Sequence, residues 1–159
     1  MSEEYSAAWT EALARLARRR SSPILMPAAL LAALDVLDGQ GGASDEIPFP
    51  AFEVAFDARV EKVSARKRGL SWQPFFHLAG SAGLWDLMKG AAVADFSDLA
   101  RGRPRSRAAL VARVDRARMR SELIARGPSE VKAIREAVAS LLANDPSEEA
   151  RALSATVGP

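Results

Sequence analysis

The sequence predicts a mainly α protein: a single compact helical domain over residues 1–159, with one small two-stranded β element near residues 74–87. Three observations lead to this class. Apolar residues recur at spacings of three and four in several separate segments, the pattern of helices with one buried face. Prolines and glycines fall where those segments begin and end. Only one stretch reads as two apolar runs facing each other across a small-residue turn. A chain of 159 residues, 48% hydrophobic, fits one domain with a real core.

In order along the chain, residues 6–20 form an amphipathic helix, with Trp9, Leu13 and Leu16 on one side and Arg15, Arg18 and Arg19 on the other. Ser21-Ser22-Pro23 ends it. Pro27 suits the first turn of a second helix, where a missing N–H costs nothing, and Leu30, Leu31, Leu34 and Leu37 carry that helix to Gly39. A Gly-rich loop follows at 40–46. Phe49, Phe52, Phe56, Val60 and Val63 mark the clearest amphipathic helix, expected to end near Gly69, and the Phe stripe reads as core. Pro74-Phe75-Phe76-His77-Leu78 and Gly83-Leu84-Trp85-Asp86-Leu87, flanking Ala79-Gly80-Ser81-Ala82, form the expected hairpin. Residues 95–107 are a polar, arginine-rich connection. Helices are expected at 106–125, 129–143 and 146–155. The second buries Val131, Ile134, Val138, Leu141 and Leu142, and the third opens on an N-cap, a proline and a glutamate in Asp145-Pro146-Ser147-Glu148.

The longest apolar stretch, Ile24 to Leu37, is interrupted by Asp35 and is too short for a bilayer, which takes about 20 apolar residues. It reads as a buried helix, and no membrane partner is expected. The start, Met1-Ser2-Glu3-Glu4, is acidic and unlike a secretory signal. Cysteine is absent, which is compatible with a reducing compartment, and the expected location is cytoplasmic.

Net charge is only +2, but its distribution is uneven. Lys62, Arg66, Lys67 and Arg68 stand together without an acid between Lys62 and His77. Residues 101–126 hold nine arginines against two acids, Asp115 and Glu122. Such clustering points to a polyanionic partner. Arginine outnumbers lysine 18 to 4. Either the planar guanidinium is selected for bidentate phosphate contacts, or a GC-rich genome inflates arginine and alanine together.

The same inventory removes most chemistries. One histidine and no cysteine exclude a Cys-ligated zinc site, a HExxH site and a His-rich nuclease centre. No phosphate-binding GxxxxGK[ST] or GxGxxG loop is present, and no nucleophile elbow accompanies His77. Glu130-Val131-Lys132 matches the tail of a metal-dependent nuclease signature, but it follows Gly127-Pro128-Ser129 at a helix start rather than lying on a strand. The expectation is a binding protein that is not itself an enzyme and needs no cofactor or metal.

Three segments read together resemble a known family. Pro27-Ala28-Ala29-Leu30-Leu31-Ala32-Ala33-Leu34 is similar to its "KP-x-LLLALL" helix, Ile47-Pro48-Phe49 to its "xIPF" lead into the third helix, and Pro74-Phe75-Phe76-His77-Leu78 with Gly83-Leu84-Trp85 to its "YPF-x-x-L…DGxW-x-L" segment. The family is the DNA sulfur-binding domain of modification-dependent restriction endonucleases, and the resemblance covers about residues 8–105. It implies recognition of phosphorothioate-modified double-stranded DNA in a restriction or defence system, with an HNH-type nuclease domain or separate effector as a further partner. It also implies an apolar pocket for the sulfur at Met26, Pro27, Gln73, Pro74 and His77, and backbone contacts from Arg101, Arg103 and Arg105. Arg66 and Arg68 are added by their charge and proximity alone. Two positions depart from the pattern: Met26 stands where the family commonly has a cation, and Gln73 where it has tyrosine. A soft thioether still suits an irregular apolar pocket.

Several of these residues keep a second reading. His77 is either at the ligand or at the edge of the core. Trp72 and Trp85 are packing anchors or base-stacking platforms. Pro27 and Pro74 line a pocket or merely punctuate the chain. The run Arg101–Arg107 contacts phosphate or is a solvated turn. Three competing functions remain: a general nucleic-acid-binding helical module without sulfur preference, a protein-interaction module and, with the least support, a divalent-metal nuclease.

Overall fold

The computed structural model describes residues 3–17, 22–41, 44–79, 83–94, 96–124 and 128–157. Among them, the chain runs α1 (Glu3–Ala17), α2 (Leu25–Gly39), β1 (Glu46–Pro48), α3 (Phe49–Glu61), α4 (Trp72–His77), β2 (Trp85–Lys89), β3 (Ala92–Val93), α5 (Phe96–Arg101), α6 (Arg107–Val111), β4 (Arg116–Met119), α7 (Pro128–Ala143) and α8 (Glu148–Ala155). Single 3-10 turns lie at Ala65–Lys67 and Ser121–Leu123. Arg18, Arg19, the expected turn at 80–82, part of the glycine loop at 42–43, Asp95 and Arg126 lie outside the described residues.

Helix α2 is the buried helix its apolar run predicts: every residue from Met26 to Leu34 is buried. The Phe stripe of α3 faces it, with Phe49, Phe52, Phe56 and Val60 buried. Phe75 of α4 enters the same layer. Its ring lies 5.0 Å from Phe49 and 4.8 Å from Phe52, and Trp85 lies 5.7 Å from Phe75. Each fully buried aromatic contributes roughly 1.5–3 kcal/mol by leaving water, so this cluster is the structural centre of the domain. Trp85 is wholly buried and its indole N–H donates to the Phe75 carbonyl at 2.9 Å, so it is a packing anchor and not a stacking platform.

Three sequence expectations ahead of the C-terminal helices need correction. The 74–87 region is not a hairpin: 72–77 is helix α4, and Trp85 opens a strand that pairs elsewhere. A five-residue apolar run fits a strand or a buried helix equally well. Pro74 decides nothing locally, because it occupies the first turn of α4, where its missing N–H has no helical partner. The β element has four strands rather than two, all antiparallel, in the order β1-β4-β2-β3. The second correction concerns 106–125, expected as one helix. Only Arg107–Val111 is α-helical, and Arg116–Met119 is the central strand, pairing with β1 and β2. Its alternation of half-buried arginine and buried Ala117 and Met119 is the period of a strand with one wet face. The Phe-stripe helix also stops earlier than expected, at Glu61 rather than near Gly69.

Both C-terminal helices form, with Ile134, Val138 and Leu142 of α7 buried and Val131 and Leu141 half-buried. Helix α8 starts later than expected: Ser147, not Asp145, is its N-cap and accepts the Ala150 N–H, so Pro146 precedes the helix. Asp35 of α2 ties this part to the rest: it receives Arg59 through two bonds of 2.8 Å and Arg135 of α7 at 2.9 Å. No helix among the described residues is long and apolar enough to cross a membrane.

Candidate nucleic-acid interface

The expected site residues divide into buried and exposed sets. Met26, Pro27 and Pro74 are buried, Gln73 is half-buried, and His77 is exposed. Pro27 and Pro74 each lie in the first turn of their helix, and those helices, α2 and α4, pack on each other. The two prolines therefore shape where the helices begin, and His77 is the residue of the set that faces water. Two clefts on the molecule lie elsewhere. One, of about 220 Å³, lies between α1 and the Gly83–Arg120 region, and the other, of about 570 Å³, lies over the open face of the sheet at Asp86 and Arg118.

The arginine loop after α5 is built to project charge. Pro104 is buried while Arg103 and Arg105 on either side are exposed, so the proline anchors the loop and turns both guanidiniums outward. Arg113 braces the loop from α6's far end, donating to the Gly102 carbonyl at 2.9 Å and pairing with Asp98 at 3.5 Å. Arg101 is 78% exposed and also approaches Asp98 at 3.5 Å. Exposed pairs of this length are worth little, so that arginine remains available to a ligand. Arg103 Nη2 comes within 2.9 Å of His77 Nε2. This contact joins the loop to the C-terminal end of α4 and brings together two expected site residues that are 26 positions apart.

Arg107, in the same run of arginines, is different. It forms a two-bond pair with Glu53 of α3 and lies 5.6 Å above the Phe49 ring. The Glu53 carboxylate, through its hydrogen bonds and charge, holds the Arg107 pKa above its ordinary value. Ser106 caps α6 by accepting the Ala109 N–H at 3.1 Å, which fixes where the loop ends. The sequence did not mark Glu53, and marked Arg113 only as one of the nine arginines of 101–126. Their roles come from contacts 11 and 54 residues apart, which no local pattern encodes.

Arg66 and Arg68 lie ahead of α4 in the chain, in and just after the 3-10 turn that precedes it. Arg68 pairs with Glu61 at 3.5 Å, both more than half exposed, and Arg66 is exposed. A helix of six residues spans about 9 Å, so α4 carries a cationic group before its start and another at its end. Trp72 between them is half-buried against the core.

Of the other described arginines of 101–126, Arg116 and Arg120 are paired, while Arg118 lies half-buried on β4 at the cleft with Asp86. Arg116 bonds Glu46 of β1 and Asp115, and Arg120 pairs with Glu122 and donates to the Gly83 carbonyl at 3.0 Å. Asp115 accepts the Gly90 N–H and then Arg116, and these hold its pKa below the usual carboxylate range. Glu122 is lowered likewise, by its own backbone N–H and by Arg120. Gly83 is required here: a Cβ would stand 2.1 Å from the Leu78 carbonyl oxygen. Gly90, at φ +58, makes the β2–β3 turn that only glycine adopts readily.

Glu130-Val131-Lys132 lies in the first turns of α7, a helical setting. Among the described residues no group of three or more His, Asp or Glu is placed to hold a metal ion. No family model, no curated protein and no solved structure matches this chain.

Proposed function

We propose that this chain is a non-catalytic reader of double-stranded DNA, with phosphorothioate-modified DNA as its preferred form. The observation that carries the DNA reading is the Pro104-anchored loop, which presents Arg101, Arg103 and Arg105 to solvent beside His77. Arginines projected from a braced loop provide the phosphate contacts that supply most affinity in such complexes. The sulfur preference rests on the resemblance of the Pro27, Ile47 and Pro74 segments to the sulfur-binding family. It is chemically coherent, because a sulfur is larger and less well hydrated than oxygen and gains from the apolar ground around two prolines. In this reading any nuclease activity lies in another domain or a separate effector.

A second reading, general nucleic-acid binding without sulfur preference, is favoured by the burial of Met26, Pro27 and Pro74. One experiment separates the two. Duplexes of one sequence, plain or carrying a stereodefined phosphorothioate, are titrated at a single salt concentration. The expected result is at least about tenfold tighter binding of the sulfur form, equivalent to about 1.4 kcal/mol. Equal affinities would leave the general reading, and no binding of either at low salt would favour a protein-interaction module.

A further inference from the structure

We infer that His77 couples polyanion binding at this surface to its own protonation, positioning Arg103 when neutral and acting as a second cation when charged. The inference rests on the DNA reading above. A guanidinium is always protonated and offers only donors. With Arg103 Nη2 at 2.9 Å, His77 Nε2 must be the acceptor, so the imidazole in this contact is neutral with its proton on Nδ1. The bond uses one of five guanidinium N–H groups and leaves the others for a phosphate.

Protonation turns that acceptor into a donor. The two groups then repel, and an anion between them, taking a hydrogen bond from each, is what lets both charges share the place. Phosphate therefore binds more tightly in acid, with one more cation engaged. Among the described residues, the acids on neighbouring elements are placed as follows. On α3, Glu53 pairs with Arg107 of α6, Asp57 accepts the Gly69 N–H and Glu61 pairs with Arg68. On α2, Asp35 holds Arg59 and Arg135, while Asp38 is exposed near the helix end. Asp98 of α5 holds Arg101 and Arg113, and Asp86 stands on the sheet face opposite buried Trp85 and Leu87. His77 is also the sole histidine of the sequence, and imidazole is the side chain that ordinarily changes charge between about pH 5 and 8.

The test titrates an unmodified duplex of about 20 bp across a salt series at about pH 8 and pH 5.5, with wild type, His77→Gln and His77→Ala. Because His77 is exposed, both variants should fold, and thermal melts check this. Wild type should bind about tenfold more tightly in acid at about 50 mM salt, with the slope of log K against log salt steeper by about 0.9. His77→Gln keeps a neutral acceptor for Arg103 and should bind with the same affinity and salt slope at both pH values. His77→Ala should be weaker than wild type and His77→Gln at pH 8. A pH-independent slope, or an acid gain that persists in His77→Gln, overturns the inference while the DNA reading stands. No binding at either pH overturns both.

Discussion

Two groups of arginines, close in sequence, have opposite fates. Arg116 and Arg120 on and beside the central strand are half-buried and held by Glu46, Asp115, Glu122 and the Gly83 carbonyl. Arg101 at the end of α5 and Arg103 and Arg105 on the loop after it are exposed, and the carboxylate beside Arg101 is a surface pair at 3.5 Å. Arginine recurs at every second position in both stretches, but Asp115 and Glu122 flank the second and no acid lies within 101–107. What differs is the supply of carboxylates: Asp115 and Glu122 stand beside Arg116 and Arg120 in sequence, and the fold adds Glu46 from β1. The comparison teaches that an arginine cluster in a sequence is evidence of binding only after tertiary ion pairs have been subtracted.

The contrast can be broken at its structural side first. Gly83→Ala forces a Cβ into the Leu78 and Ala79 backbone and displaces the carbonyl that Arg120 uses. We expect a loss of about 3 kcal/mol or more, seen as an earlier denaturant midpoint.

A crossed pair of variants sharpens it. Arg116→Ala should lower the melting temperature by about 2–4 °C and leave DNA affinity at wild-type level. Arg103→Ala should do the reverse, leaving the melt unchanged, weakening all duplex binding and flattening the salt slope by about 0.9. Equal effects of both variants on binding would mean that the sheet, too, contacts DNA.

The smallest effect expected is on acid sensitivity. Asp115 and Glu122 have folded pKa values below their ordinary ones. Such groups stabilise fully above their unfolded values near pH 4, and that stability is lost as pH falls through the lower folded values. The denaturant midpoint should therefore fall between about pH 5 and pH 3. Asp115→Asn, which keeps an acceptor for the Gly90 N–H, should narrow that fall, whereas Arg103→Ala should leave it as in wild type.

Much of the helical framework was legible in advance. The stripes at Phe49–Val60 and Val131–Leu142, and the apolar run of α2, repeat at 3.6 over enough residues that no other element satisfies them. Short elements were not legible. Residues 72–77 and 116–119 are too brief to carry a decisive period, and the residues of β4 are compatible with a helix as well as a strand. Pairing with Glu46–Pro48 on one side and Trp85–Met88 on the other selects the strand, by contacts about 70 and 30 positions away. For the site, the sequence nominated Arg103 and His77 separately, and only the fold joined them.

The sequence by itself determined a mainly helical protein built on a phenylalanine-rich core, with its positive charge gathered in two places. Those properties depend on local spacing and composition, which the chain carries whatever its conformation. The tertiary structure decided that the sheet has four strands, that Pro27 and Pro74 are buried while His77 is not, and which arginines face water. Each of those turns on the company a residue keeps across long sequence distances: a guanidinium beside Glu46 supports the sheet, and one beside His77 is available to a phosphate.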